Sequence, residues 1–103
     1  MSKIYHWGFD LTSFRDTPSW ERFLHRNKLM IIQYEMGTGY IHFLNLNGVY
    51  MKIQKADPRW DEFYLGYVGF SAPRIGPLLD VVNDFKKSAI IIKDESPGKR
   101  DFI

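Results

Sequence analysis

His6, His25 and His42 are the first residues to weigh for chemistry, because an imidazole both titrates near neutrality and ligates metals. Their spacing argues against a metal site: no HxH or HxxxH pair occurs, and the three fall on different predicted elements. His42 is expected on the buried face of a hairpin, satisfied there by a single hydrogen bond. Catalysis would need His6, His42 and an acid such as Asp10 to converge on one pocket. Among the acids, Asp80 and Asp84 stand at i, i+4 on the outer side of a predicted helix, the pattern of a solvated face. Asp57, just before Pro58, reads as the start of a turn. Cysteine is absent, G-x-S-x-G is absent, and no serine has a histidine motif beside it. Neither a GxxxxGKS or GxxxxGKT loop nor GxGxxG occurs, so nucleotide-dependent chemistry lacks its phosphate cradle. The reading is non-enzymatic, with no cofactor, no metal and no catalytic residue expected.

Binding is the better-supported chemistry. The stretch HFLNLNGVYMKIQ, residues 42 to 54, contains Asn47-Gly48, a dipeptide that favours a two-residue type I′ turn because both central positions need a positive φ. In that register Leu46 faces Val49, Leu44 faces Met51 and His42 faces Ile53, an apolar lining that belongs in the core. Phe43, Tyr50 and Lys52 then share the opposite face and are predicted to form an exposed patch for a partner. Arg22 and Arg26, with Arg15 and Lys28 nearby, make a second candidate around the first helix. Rings beside cations serve two kinds of recognition. They stack single-stranded bases, at about 1–3 kcal/mol per base, and they are the residue types enriched at protein–protein hot spots. The RNP pattern of RNA-binding sheets is missing.

The elements that must position these side chains are read from periodicity. KIYHWGFDL alternates, with Tyr5, Trp7 and Phe9 on the side expected to be buried, and predicts a strand over residues 3 to 10. DTPSWERFLHRNK predicts a helix over 18 to 27, with Thr17 as N-cap, Pro18 at the first position and Trp20, Phe23 and Leu24 on one stripe. LMIIQYEM is an apolar run and predicts a central strand. GTG at 37 to 39 supplies a turn, and the two hairpin strands, 40 to 46 and 49 to 55, follow. ADPRWDE breaks the sheet at Pro58, and FYLGYVGF predicts a strand over 62 to 70. APRIGPLLDVVNDFKK predicts a second helix over 76 to 87, with Leu78, Val81, Val82 and Phe85 on its inner stripe. AIIIK reads as a covered strand, and residues 94 to 103 as a loose polar tail. The order is β-α-β-β-β-β-α-β. It predicts a single α+β domain over 1 to 93, a largely antiparallel sheet of five to six strands with both helices on one face.

At 103 residues the chain has room for one core, and its 17% aromatic content exceeds what that core is expected to absorb. A formal net charge of +2 permits nucleic acid without demanding it. The cysteine-free composition fits a reducing compartment, and no segment approaches the roughly 18 apolar residues of a membrane span. MSKIYHWGFD also lacks the apolar stretch of a signal peptide, so a cytoplasmic protein with no membrane partner is expected. These features predict a small binding protein that docks on a macromolecule, in the first place a protein, of the inhibitor, immunity or accessory type. A phage or mobile-element origin is consistent with that reading. The alternative is a single-stranded nucleic-acid-binding module that uses sheet aromatics and the basic residues.

Overall fold

Alternation along the first twelve described residues extends the opening strand further than its apolar half requires, and this long strand organises the sheet. The computed structural model describes residues 3–54 and 64–101, so the expected turn at Asp57 and Pro58 lies outside the described residues. The elements are β1 (Lys3–Phe14), α1 (Thr17–Arg26), β2 (Met30–Glu35), β3 (Tyr40–Leu44), β4 (Tyr50–Gln54), β5 (Tyr64–Ala72), α2 (Ile75–Ser88) and β6 (Ala89–Asp101). Their order is the predicted one, and the α+β class holds. One six-stranded sheet runs β2-β3-β4-β5-β1-β6, with every described pairing antiparallel. Both helices pack on the same face. Phe9, Phe43, Met51, Ile53, Val68 and Phe70 from the sheet meet Trp20, Phe23, Val82 and Phe85 from the helices in one core.

Helix α1 has well-defined ends. Asp16, one residue before the expected cap, accepts a 2.8 Å hydrogen bond from the Ser19 amide, which satisfies one of the orphan donors at the start of a helix. The Ser19 side chain, and after it this amide, hold the Asp16 carboxyl below its ordinary range by hydrogen bonding that favours the charged form. At the other end Leu29 N–H bonds to Leu24 C=O and Lys28 N–H to His25 C=O. This is the paired arrangement of a Schellman motif, and it sets Lys28 at φ +53°, the left-handed conformation the motif requires.

Three features depart from the sequence reading. β2 was expected in the centre of the sheet and lies at its edge, although it is the most apolar run of the first half. Six strands spaced about 4.8 Å apart put the outer two roughly 24 Å from each other, while two helices side by side cover only about 20 Å. The helices sit over β1, β5 and their neighbours, and β2 overhangs. Ile31 and Tyr34 pair with the core residues Phe43 and Ile41, yet they remain 62% and 49% exposed. Second, residues 94 to 101, expected as a loose tail, continue β6 along β1 as far as the Lys3–Asp101 pair. Pro97 is compatible with that placement because β6 is an edge strand, where a missing N–H need not leave a ladder bond unmade. The third departure concerns the hairpin and is described with the site. Among the described residues no helix is long and apolar enough to cross a membrane.

Candidate functional site

The β3–β4 hairpin decides which side chains reach the open face of the sheet. Its strands pair Ile41 with Ile53, His42 with Lys52, Phe43 with Met51 and Leu44 with Tyr50. This register differs by one residue from that of a two-residue Asn47-Gly48 turn. The loop has three residues, Leu46, Asn47 and Gly48, closed by the bond from Asn45 N–H to Val49 C=O. Only Gly48 takes a positive φ, +82°, as the last position of such a loop does. A one-residue difference in loop length rotates one strand against the other, so β4 keeps its expected facing and β3 reverses. Phe43 is therefore a core residue, 2% exposed, and not part of a binding patch; His42, expected in the core, lies on the open face.

The cause is Asn45. Its Oδ1 accepts 3.0 Å hydrogen bonds from the amides of Asn47 and Val49, and its Nδ2 donates to the Asn27 carbonyl at 3.1 Å. The side chain thus shapes the loop from within and ties it to the end of α1. An asparagine that bonds backbone two residues ahead is a common turn device, so the signal was present in the sequence, but it competed with the stronger Asn-Gly pattern.

Across the open face runs a connected set of polar side chains. His42 donates from Nε2 to Glu35 Oε2 at 2.6 Å, and its Nδ1 accepts from the Tyr50 hydroxyl. With Glu35 ionised, this assignment satisfies both ring nitrogens of a neutral imidazole. Burial, helped by the Glu35 charge, pushes the Tyr50 hydroxyl above its ordinary pKa. Tyr50 is accordingly a phenol that donates, not a phenolate that attacks. The Lys52 ammonium sits 4.3 Å from the centre of the Tyr40 ring, a cation–π contact. Tyr50 and Lys52 then line a pocket of about 260 Å³ with His6, Tyr67, Gly69 and Ser71. His6 and His42 share the face but do not meet: β5 and β4 stand between their strands, a separation of roughly 14 Å. Among the described residues no group of three or more His, Cys, Asp or Glu is placed to hold a metal ion.

The pocket floor depends on glycine. Gly8 and Gly69 are paired across β1 and β5, and the Tyr67 ring folds over Gly69, with its hydroxyl 3.0 Å from His6 Nε2. A Cβ at Gly69 would stand 2.8 Å from the Tyr67 hydroxyl oxygen. Gly69→Ala should therefore displace the tyrosine ring at small cost, within about 1 kcal/mol, since the atom in the way is the end of a side chain. The measurement is the His6 imidazole chemical shift in NMR at fixed pH, expected to move while the unfolding midpoint stays nearly constant. An unchanged His6 signal would mean that the ring does not hold this position.

No protein-family model matches the chain, and no curated protein matches it in sequence.

Arg22 and Arg26, the other predicted partner residues, are together but not with Tyr50 and Lys52. They line a separate cleft of about 240 Å³ on the helix-covered side, with Arg15, Ser19, Lys87, Ser88, Ala89 and Ile90. Arg26 is held by Asp84 through two parallel bonds, Nε to Oδ2 at 3.0 Å and Nη2 to Oδ1 at 2.9 Å. Burial acts to raise the Asp84 pKa, but hydrogen bonds from Arg26, Asn27 and Ser88 together with the Arg26 charge outweigh it and hold the carboxyl below its usual range. Asp84 is thus a structural anchor and not the solvated acid its i, i+4 spacing implied. Its partners Ser88, Asn27 and Arg26 lie 4, 57 and 58 positions away, and the distant two leave no local trace in sequence.

Proposed function

We propose that the protein acts by binding and not by catalysis, docking on a protein partner through strand β2 and the open sheet face beside it, as an inhibitor, immunity or accessory protein does. The observation that supports this reading is the concentration of exposed apolar side chains in one region: Met30, Ile31, Ile32, Tyr34, Met36, Leu44 and Leu46. They occupy β2, the turn after it and the tip of the next hairpin. Isolated exposed hydrophobics are ordinary, but a cluster on an unpaired strand edge invites another chain. Edge addition supplies main-chain hydrogen bonds, and the overhanging Ile31 and Tyr34 supply apolar contact. Ile31 and Tyr34 lie on the helix side of this edge, and on its open side Tyr40, His42, Tyr50 and Lys52 follow across β3 and β4.

Protein is favoured over nucleic acid by charge. From Met30 to Met36 the chain carries one acid, Glu35, and no cation, whereas a strand that tracks a phosphate backbone needs lysine or arginine. The basic residues that the nucleic-acid reading relied on, Arg22 and Arg26, line a cleft that reaches the start of β6, at the opposite edge of the sheet from β2. The absence of cysteine accords with a cytoplasmic, reducing setting.

The test compares capture of proteins from a host lysate by the native chain and by the double variant Ile31→Lys, Tyr34→Lys, at moderate salt. Both side chains are exposed, so the variant should keep its stability within about 0.5 kcal/mol at each site. A specific partner retained by the native protein and reduced at least tenfold by the variant is the expected result. Equal capture by both would sink the proposal, and so would affinity for a single-stranded oligonucleotide that falls steeply with salt and exceeds any protein affinity.

A further inference from the structure

We propose that the cleft between α1 and the α2–β6 junction is a binding site for a phosphate dianion, presented as a phosphomonoester. Four cations, Arg15, Arg22, Arg26 and Lys87, converge there with the hydroxyls of Ser19 and Ser88, and no acidic side chain lines it. The chain as a whole carries a formal charge of only +2, so the concentration is local and not a consequence of general basicity. Helix ends account for part of it: Lys87 and Arg26 lie in last turns, where cations are favoured. They do not account for Arg15, which stands just before the positive end of α1, nor for Arg22 in mid-helix. Among the described residues Arg15, Arg22 and Lys87 have no salt-bridge partner, although Asp16 lies near enough to feel both Arg15 and Arg22. Like charges gathered in this way repel unless an anion joins them.

Arg26 is the second observation. Its Nε and Nη2 are committed to Asp84, and Nη2 also donates to Ser88 Oγ at 2.9 Å. Nη1 has no protein acceptor among the described residues, so its two N–H groups remain for a ligand. A carboxylate that grips one edge of a guanidinium fixes the orientation of the other edge, which is how anion sites are organised in advance. Donors on several sides of a small cleft suit a tetrahedral group better than a planar carboxylate, and a dianion answers the charge better than a monoanion. The cleft shares no residue with β2 or the open face, so this inference is independent of the proposed docking surface.

The experiment is a ¹H–¹⁵N NMR titration of the full chain with inorganic phosphate at low ionic strength and pH 7.5. Saturable shifts confined to the amides of Arg15, Ser19, Arg22 and Ser88–Ile90 are expected. Arg22→Gln should weaken binding at least tenfold without loss of the fold, because the Arg22 side chain makes only a long 3.4 Å contact to Ser19. Arg26→Lys should weaken it by a similar factor by removing the fork, while Lys28→Ala, on a cation outside the cleft, should leave it unchanged. Phosphoserine and a nucleoside 5′-monophosphate are then titrated against the same amides. Tighter binding of one identifies the source of the phosphate as a modified side chain or a nucleotide, and equal affinity for all three assigns the site to the phosphate group alone. Shifts that never saturate, an equal response to chloride, or an affinity that Arg22→Gln does not change would overturn the proposal.

Discussion

Replacing Phe85 by alanine should destabilise the domain by about 3–5 kcal/mol, the range for removing a large aromatic from a packed core. Phe85 is fully buried and stands where both helices meet the sheet. Its ring centre lies 5.0 Å from that of Phe9, 5.1 Å from Phe70, 5.5 Å from Phe23 and 5.7 Å from Phe14. For a domain of this size the loss corresponds to a fall of at least about 12 °C in the unfolding temperature. Since whole domains are stable by only about 5–15 kcal/mol, much of the total depends on this one ring. Phe23→Ala, which removes a neighbouring buried ring, should cost a comparable amount. Thermal unfolding followed by circular dichroism measures both. A shift of a few degrees for Phe85→Ala would place the ring outside the core and remove the reason for docking α2 on this face.

The second large effect is expected at Asn45, which is polar and only 8% exposed. Asn45→Ala removes three hydrogen bonds and leaves the Val49 amide, which is buried, without an acceptor. The unsatisfied buried amide costs about 1–3 kcal/mol and the other two lost bonds about 0.5–1 each in net terms, so a total of about 2–5 kcal/mol is expected. Asn47→Ala is the informative comparison. In a two-residue Asn-Gly turn Asn47 would occupy a left-handed position and its replacement would be costly. In the three-residue loop Asn47 is exposed, has no positive φ and contributes only its backbone, so the change should stay within about 0.5 kcal/mol. Urea midpoints of the two variants decide between the registers: a larger loss for Asn47→Ala than for Asn45→Ala would restore the shorter turn and return Phe43 to the open face.

The order of elements, the α+β class and the inner stripes of both helices were legible in the sequence by itself, because each is written within a few neighbouring residues. Trp20 and Phe23, or Leu78, Val81, Val82 and Phe85, repeat at helical spacing, and a helix has one way to bury such a stripe. The alternation that points Tyr5, Trp7 and Phe9 toward the helices is equally local. What only the tertiary structure decided depends on counting or on distance. The facing of Phe43 and His42 follows from whether the hairpin loop holds two residues or three, and a side chain outside the dipeptide, Asn45, settled that. The exposure of Ile31 and Tyr34 follows from where β2 falls in the strand order, since an apolar run reads the same in the middle of a sheet as at an edge that two helices are too narrow to cover. The grip of Asp84 on Arg26 joins residues 58 positions apart, and no spacing along the chain announces a contact made by the packing of two helices.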